Sequence, residues 1–259
     1  MNAALALQIG TVARRSIVRT MRQPAMVVPA LVFPLLLLSI NSGGLHAATR
    51  LPGFPTDSYL TFALGLTFVQ GAMFAAMSAG TNVAMDIETG FFNRLSLTPL
   101  RRVALLLGQL SGVIVLALIQ ATTFLVVGLT AGAGLKAGPL GVPVIVAISL
   151  LTTLGFGSIG AFVALRTGSG ETVQGLFPLF FATLFLSSMA LPRNVIEIHW
   201  FRTVATWNPV SYMLEGIRSL LIDGWNGEAL ALGFLASGGL ALVGLVAASS
   251  ALKTRMVRT

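Results

Sequence analysis

Six apolar runs, each long enough to cross a lipid bilayer, constrain this chain more than any other feature. A membrane-spanning helix needs about 20 predominantly apolar residues. The runs lie at about 25–42, 59–85, 103–131, 140–164, 173–191 and 229–251. Charged residues make up only 9% of the 259, whereas a soluble domain has roughly 25%. The sequence therefore predicts an all-α integral membrane protein with six transmembrane helices, in which residues 1–259 form a single transmembrane domain.

The basic residues indicate the orientation of these spans. If the N-terminus is cytoplasmic, 11 of the 16 Lys and Arg residues fall in inside segments. The positive-inside rule then predicts a multi-pass protein of the cytoplasmic membrane with both termini in the cytoplasm. The net charge of +8 would indicate nucleic acid in a soluble protein. Here topology and anionic lipid account for it, so we expect contact with membrane lipid and no nucleic acid.

Residues 1–24 precede the spans of 25–191 and carry a helical pattern. Polar residues three or four apart share one face, namely Gln8, Thr11, Arg15, Arg19 and Arg22. Apolar residues fall on the opposite face, namely Ile9, Ala13, Ile17 and Met21. This pattern favours an amphipathic helix in the cytoplasmic interface over a disordered basic tail.

The mixed segment 192–228, before the last span and tail (229–259), contains a possible helix that is too short and too charged to cross a bilayer. It predicts short re-entrant or interfacial helices on the outer side. One of these helices is expected at 211–222, where Glu215 and Arg218 are spaced to form an ion pair. Aromatic residues cluster here as in a membrane-interface belt, and these are Trp200, Trp207, Tyr212 and Trp225.

The most polar internal segment, 86–102, reads DIETGFFNRLSLTPLRR. Phe91 and Leu95 lie one helical turn apart and form an apolar ridge, and Pro99 stops the helix. A short amphipathic helix of this kind fits the groove of a partner protein. The alternative is a solvated loop whose arginines set topology, and composition leaves both open.

The sequence lacks the residue patterns of an ATP site, a metal site and a dinucleotide site. The only two lysines, Lys136 and Lys253, both follow leucine, so the chain has no Walker A loop for ATP. There is no cysteine, and the two histidines lie far apart in the sequence, which argues against a metal site. The pattern Gly155-x-Gly157-x-x-Gly160 lies inside an apolar span, where it indicates close helix packing instead of dinucleotide binding.

Taken in order, these features resemble the type 2 ABC exporter permeases, especially the daunorubicin-resistance and related drug or lipid exporters. The resemblance covers nearly the whole chain. It is carried by the basic amphipathic N-terminus, by MDIETGFFNRLSLTPLRR after the second span, and by WNPVSYMLEGIRSLL before the last. It implies a non-enzymatic permease that exports an amphipathic drug, lipid or lipid-linked glycan. Its partners would be two copies of an ABC ATPase and a second permease, the same or homologous. ATP and Mg would bind the ATPase, and this chain would bind no cofactor.

The resemblance also implies roles for particular residues. The segment Asp86 to Pro99 would be a cytoplasmic coupling helix seated in the ATPase, beside the N-terminal interface helix. The predicted coupling residues are Asp86, Glu88, Gly90, Phe91, Arg94, Leu95, Thr98, Pro99, Arg15 and Arg19. The substrate path would run between two permease halves, lined by the second and fifth spans. Its predicted residues are Phe68, Met73, Phe74, Met77, Phe177, Phe180 and Phe181. For any one of them, helix packing or lipid contact is the competing interpretation.

Two short outer helices between 195 and 221 would cap the exit. The predicted residues of this outer gate are Asn208, Pro209, Glu215 and Arg218.

Two other classes of membrane protein remain as alternatives. An ATP-independent secondary transporter or channel would need buried ionisable groups, of which the spans hold few. A membrane-embedded enzyme would need a polar cluster that the sequence does not show.

Overall fold

A computed structural model describes residues 3–91 and 102–258, with side chains for 5–91 and 104–255. Within these ranges every regular element is helical, as predicted. Five helices are long and apolar enough to cross a membrane. They are α2 (Pro24–Gly44), α3 (Tyr59–Glu88), α4 (Arg102–Thr130), α5 (Gly141–Thr167) and α10 (Gly227–Arg258). Their bounds agree with five of the six predicted spans to within a few residues at most ends, and the structure confirms an all-α membrane architecture.

Helix α3 forms the centre of the bundle. Some 83% of its most apolar window is buried, against 17% for α2 and 22% for α10, which lie at the periphery. Helix α5 crosses α3 closely, because a Cβ added to Gly160 would lie 2.5 Å from the Ala76 carbonyl oxygen. Gly155 faces α10 instead, where a Cβ would lie 2.8 Å from Leu240. The glycine pattern of α5 therefore serves packing against two neighbours, as the sequence indicated.

Helix α1 (Ala3–Met21) lies against the first half of α4. Its buried stripe is Val12, Ser16 and Thr20. These side chains meet two glycines of α4: a Cβ would lie 2.5 Å from Val12 at Gly108 and 2.6 Å from Thr20 Oγ1 at Gly112. The pair forms a small-xxx-small surface that admits a close neighbour.

The structure gives the polar face of α1 a partner that the sequence pattern did not predict. Arg15 and Arg19, predicted to share the polar face and to belong to the coupling residues, turn into the protein and bind a buried carboxylate. The outward residues include Leu7, Val18 and Met21, which are 71%, 41% and 39% exposed. The attraction of the buried charge decides the orientation of the helix, and a pattern local to 1–24 cannot reveal that charge.

The predicted fifth span, 173–191, is not one continuous helix. It consists of α6 (Gly170–Gln174) and α7 (Phe177–Phe185), followed by turns. Gly175 separates the two, and Pro178 stands in the first turn of α7. The nine residues of α7 rise only about 14 Å, less than the ~30 Å of a bilayer core.

This broken stretch nevertheless joins the two ends of the bundle. The Gly170 amide donates to Oε1 of Glu88, the last residue of α3, at 3.2 Å. Tyr59 Oη, at the first residue of α3, donates to the Ala190 carbonyl at 3.0 Å. The chain therefore follows α3 from its C-terminal end to its N-terminal end.

Short helices cover the end of the bundle at which α3 begins. They are α8 (His199–Trp207), α9 (Pro209–Ile222) and the 3₁₀ turns His46–Arg50 and Arg193–Val195. Helix α9 starts two residues before the predicted 211 and is largely buried against α3, α5 and α10. The opposite end of the bundle carries α1 and the C-terminal turns of α3, α5 and α10.

Candidate coupling site and apolar groove

A buried carboxylate, Asp86, joins three helices at the end of the bundle that carries α1. Its side chain is 1% exposed. Arg15 donates to both carboxylate oxygens, from Nη1 at 2.9 Å and from Nη2 at 2.7 Å. Gln109 Nε2 donates at 2.7 Å, and Arg19 also donates to this carboxylate. We call Arg15, Arg19, Asp86 and Gln109 the Asp86 hub.

Local sequence explains how the hub is built. Arg15 and Arg19 are four residues apart and therefore share a face of α1. Helix α1 is held on α4 by two further hydrogen bonds: Ser16 Oγ donates to the Gln109 carbonyl at 2.7 Å, and Ser111 Oγ donates to the Ala13 carbonyl at 3.3 Å. Asp86 is the single anion between two guanidinium groups, so its loss would leave both cations without a counter-charge.

The hub lies at the root of the predicted coupling segment. Helix α3 ends at Glu88, and Gly90 adopts a left-handed conformation with φ 69° that turns the chain out of the helix. The next residue, Phe91, places its ring 3.6 Å from the Arg15 guanidinium. Six of the ten predicted coupling residues therefore lie at this end of the bundle, namely Arg15, Arg19, Asp86, Glu88, Gly90 and Phe91. The other four, Arg94, Leu95, Thr98 and Pro99, lie outside the described residues.

The predicted outer-gate residues lie at the opposite end, and one expected pairing there was wrong. Glu215 does not pair with Arg218. It accepts from Arg193, at 2.7 Å from Nε and 2.5 Å from Nη2. Burial lowers the pKa of Arg193, but its bonds to Glu215 outweigh this and raise the pKa above its ordinary value. Sequence spacing along α9 could not show that Glu215 binds Arg193, which lies in the 3₁₀ turn Arg193–Val195 before α8.

Arg218 instead binds backbone. Its residue is 4% exposed, and it donates to the carbonyls of Phe62 at 3.0 Å, Ser188 at 2.6 Å and Met189 at 2.6 Å. The guanidinium also lies 3.6 Å from the Phe62 ring. Arg218 thus ties the irregular chain after α7 to the first turn of α3, and satisfies carbonyls that a broken span leaves unpaired.

Asn208 has two roles in the same region. Its Oδ1 accepts from the Val210 amide at 2.9 Å and caps α9, with Pro209 at the first helical position. Its Nδ2 donates to the carbonyls of Thr183 at 2.5 Å and Leu186 at 3.0 Å, at the end of α7. One side chain therefore fixes the start of α9 against the end of α7.

An apolar groove of about 420 Å³ opens between α2, α3 and the α6–α7 stretch. We call it the α2–α7 groove. Its lining residues are Ala25, Met26, Pro29, Phe74, Met77, Ser78, Thr81, Gln174 and Phe177. Among the described residues, the lining contains no charged side chain. Ser78 is 4% exposed, and its hydroxyl has no hydrogen-bond partner in the described part of the chain.

The seven predicted path residues divide into two groups. Phe74, Met77 and Phe177 line the groove, and Phe181 packs 4.5 Å from Phe177, centroid to centroid. The other three lie in the packed core and do not reach the groove. They are Phe68, Met73 and Phe180.

The sequence analysis missed the polar part of this groove and the wall contributed by α2. Apart from Met77, the neighbours of Ser78 from Ala75 to Gly80 are small residues, a pattern that resembles an ordinary packing surface. Nothing in that local pattern indicates that its hydroxyl lacks a hydrogen-bond partner among the described residues. Across residues 3–91 and 102–258, no three His, Asp or Glu side chains come close enough to hold a metal ion.

Comparison with known proteins gives a consistent family. Residues 7–222 match the family model described as ABC-2 type transporter. The chain is 27% identical over 209 residues to the daunorubicin resistance ABC transporter permease protein DrrB1 of Streptomyces coeruleorubidus, covering 76% of this chain and 69% of that one. It is 26% identical over 225 residues to the putative transport permease ycf38 of Porphyra purpurea, covering 85% and 76%. For the ycf38 protein of Pyropia yezoensis the identity is 28% over 230 residues, covering 86% and 77%.

Proposed function

Because the chain belongs to the ABC-2 type transporter family, we propose that it is the transmembrane permease subunit of an ATP-driven exporter. It pairs with a second permease, the same chain or a homologue, beneath two copies of an ABC ATPase. It moves an amphipathic molecule outward across the cytoplasmic membrane. The observation that carries this proposal is the Asp86 hub, a buried ionic junction at the root of the segment suited to docking on an ATPase.

The hub explains how force applied outside the membrane reaches the spans. A displacement of the segment after Phe91 acts on Arg15 through the ring contact and on α3 through the chain itself. Arg15 and Arg19 pass it to Asp86, and Gln109 passes it to α4. Close-packed helices transmit such displacements because their packing does not deform continuously. Three helices therefore move together when the ATPases close.

Topology supports six crossings with both termini in the cytoplasm. Helix α5 ends at the same end of the bundle as α1, while α10 begins at the other end. The stretch 170–190 joins these two ends along α3, so we count it as the fifth crossing. Its irregular backbone is acceptable at membrane depth because Arg218 and Asn208 satisfy its carbonyls.

The lining of the α2–α7 groove limits the chemical classes of substrate that fit it. Flexible Met and flat Phe side chains accept varied apolar shapes, and Ser78 offers one unpartnered hydroxyl. A phosphate or pyrophosphate in this groove would lack a counter-charge. We therefore favour an apolar molecule with an uncharged hydroxyl or amide group, such as a neutral drug, over a lipid-linked glycan carried on a phosphate.

The test is co-purification of the tagged chain from mild detergent, followed by assays of ATPase activity and transport in proteoliposomes. We expect a soluble ATPase to co-purify and to drive export. In Asp86→Asn, ATP hydrolysis should persist while export falls at least tenfold. The matched control is Asp57→Asn, an exposed acid at the other end of the bundle, which should leave export unchanged.

A chain that moves solute in liposomes without any ATPase would be a secondary transporter, and the proposal would fail. Full coupling in Asp86→Asn would remove the hub from the mechanism while leaving the permease assignment intact. The two results are therefore separable.

A further inference from the structure

A second groove lies on the opposite flank of the bundle, between the first turns of α4 and the last turns of α10. Its volume is about 530 Å³, and we call it the α4–α10 groove. Its lining residues are Leu106, Leu107, Leu245, Val246, Ser249, Ser250 and Lys253. None of them belongs to the α2–α7 groove or to the Asp86 hub, so the proposed transport mechanism leaves this surface without a role.

The α4–α10 groove faces outward and does not lead into the protein. Leu107 and Val246 are 43% and 61% exposed, so the rim presents hydrocarbon to its surroundings. Immediately behind it, Leu105 and Leu252 are 3% and 2% exposed and belong to one packed core cluster. An occupant would therefore sit on the surface of the bundle and would not pass through it.

One end of this apolar groove is polar. Val246, Ser249, Ser250 and Lys253 follow the three-and-four spacing of a single helix face on α10. Ser250 Oγ donates to the Ala247 carbonyl at 2.7 Å, which leaves its lone pairs as acceptors. Ser249 is exposed, and its hydroxyl makes no hydrogen bond to any described residue, so it can donate outward.

Lys253 supplies a positive charge that forms no ion pair within the described part of the chain. Each ion pair found in the described ranges uses Asp86 or Glu215, and Lys253 takes part in none of them. Arg255, two residues further on, turns inward to the Leu165 carbonyl at 2.9 Å. That contact places this part of α10 level with the last turns of α5. The exposed ammonium therefore lies at the edge of the apolar zone, on the end of the bundle that carries the α1 arginines.

We propose that the α4–α10 groove binds one anionic phospholipid from the leaflet at the α1 end. An acyl chain lies along Leu107 and Val246. The headgroup phosphate accepts charge-assisted hydrogen bonds from Lys253 and a hydrogen bond from Ser249. Lysine binds phosphate well as a compact point charge, and basic pockets between helices at a cytoplasmic surface select anionic headgroups. A zwitterionic lipid fills the same hydrocarbon space but carries its own cation, so it gains less from Lys253.

Native mass spectrometry of the detergent-purified chain tests this directly. The probes are dioleoyl phosphatidylglycerol and dioleoyl phosphatidylcholine, which have identical chains and differ in the headgroup. The wild-type chain should retain phosphatidylglycerol roughly fivefold better than phosphatidylcholine, which is the effect of one basic residue near an anionic headgroup. Lys253→Gln should abolish this preference, and Lys253→Arg should keep it.

The chain offers a matched control, since its only other lysine is Lys136 at the opposite end. Lys136→Gln should preserve the fivefold preference. Lys253 is exposed, so neither substitution threatens folding. If Lys253→Gln keeps the preference, or if both lysine variants lose it equally, the proposed site is wrong.

Two further measurements place the lipid in the groove. Val246→Trp should fill the groove and release both lipids, whereas Leu235→Trp, an exposed position nearer the other end of α10, should not. Retention of phosphatidylglycerol by Val246→Trp would contradict the proposal. Soluble glycerol phosphate should fail to displace the lipid, and displacement would indicate a phosphate site in place of a lipid site. These readouts need no ATPase or transport, so they stand apart from the proposed export function.

Discussion

At the scale of single residues, the protein uses buried charge to join separate elements. Asp86 lies near the C-terminal end of α3, and Arg218 of α9 contacts the first turn of α3; each is almost fully buried. Asp86 binds side chains of α1 and α4, whereas Arg218 binds backbone carbonyls. Such groups are costly in an apolar environment unless every partner is present. Their variants should therefore change stability more than their surface counterparts do.

Asp86→Asn should lower the free energy of unfolding by about 3 kcal/mol, the cost of removing one partner from a buried ionic cluster. The neutral amide offers no charge to the two guanidinium groups, and it keeps one acceptor oxygen where the carboxylate has two. Reversible unfolding in detergent micelles, followed by the intrinsic tryptophan signal, measures this change. Asp57→Asn should stay within about 0.5 kcal/mol of wild type. Equal values for the two variants would show that the hub contributes little to stability.

Arg218→Lys keeps the charge but not the planar fork that reaches three carbonyls. Two of those carbonyls, from Ser188 and Met189, would lose their donor. We expect the free energy of unfolding to fall by about 2 kcal/mol, because an unpaired buried acceptor costs about 1–3 kcal/mol. The control is Arg50→Lys, an exposed residue at the same end, which should be neutral. If the Lys variant is as stable as wild type, the carbonyls find other partners.

At the scale of elements, hydropathy predicted the long helices because length and apolar composition alone define a span. It did not predict the break between α6 and α7, since Gly175 and Pro178 are also tolerated inside membrane helices when neighbours compensate. What compensates here is Arg218, which is distant in the sequence. The partner of the α1 arginines was not predicted for a similar reason, because the buried Asp86 lies 67 and 71 residues away in the sequence.

The contact between α1 and α4 depends on glycine and gives a test at this scale. In Gly112→Ala the new Cβ would lie 2.6 Å from Thr20 Oγ1 and 2.9 Å from the Ser16 carbonyl oxygen. Helix α1 must then shift, and the free energy of unfolding should fall by about 1–3 kcal/mol. In Gly238→Ala, on α10, nothing lies within 4 Å of the new Cβ. That control should be neutral or up to about 1 kcal/mol more stable, as read by unfolding in micelles.

At the scale of the whole molecule, the two ends of the bundle have different chemistry. One end holds the Asp86 hub, the basic residues of α1 and the polar ends of both grooves. The other end holds α8, α9 and the exposed aromatic residues Trp200, Trp207 and Trp225. In the proposed export mechanism, the α2–α7 groove would load substrate from the leaflet at the end that carries the hub.

Ser78→Ala tests whether this groove loads substrate. Removing the unpartnered hydroxyl should raise the KM for a neutral, hydroxyl-bearing substrate about fivefold while leaving kcat unchanged, since one hydrogen bond contributes about 1 kcal/mol. Ser149→Ala is the matched control, because Ser149 is equally buried but donates to the Ile145 carbonyl of its own helix at 2.7 Å. A similar KM in both variants would place the substrate elsewhere.

The count of crossings can be decided with single cysteines, because the natural chain contains none. Glu171 and Asn194 are both exposed and lie at the two ends of the broken stretch beside α3. If this stretch crosses the membrane, a membrane-impermeant maleimide should label Asn194→Cys in intact cells and Glu171→Cys only after permeabilisation. Thr11→Cys, on α1, and Asn226→Cys, at the start of α10, serve as inside and outside references. Labelling of Glu171→Cys and Asn194→Cys from the same side would mean five crossings, and would place the two termini in different compartments.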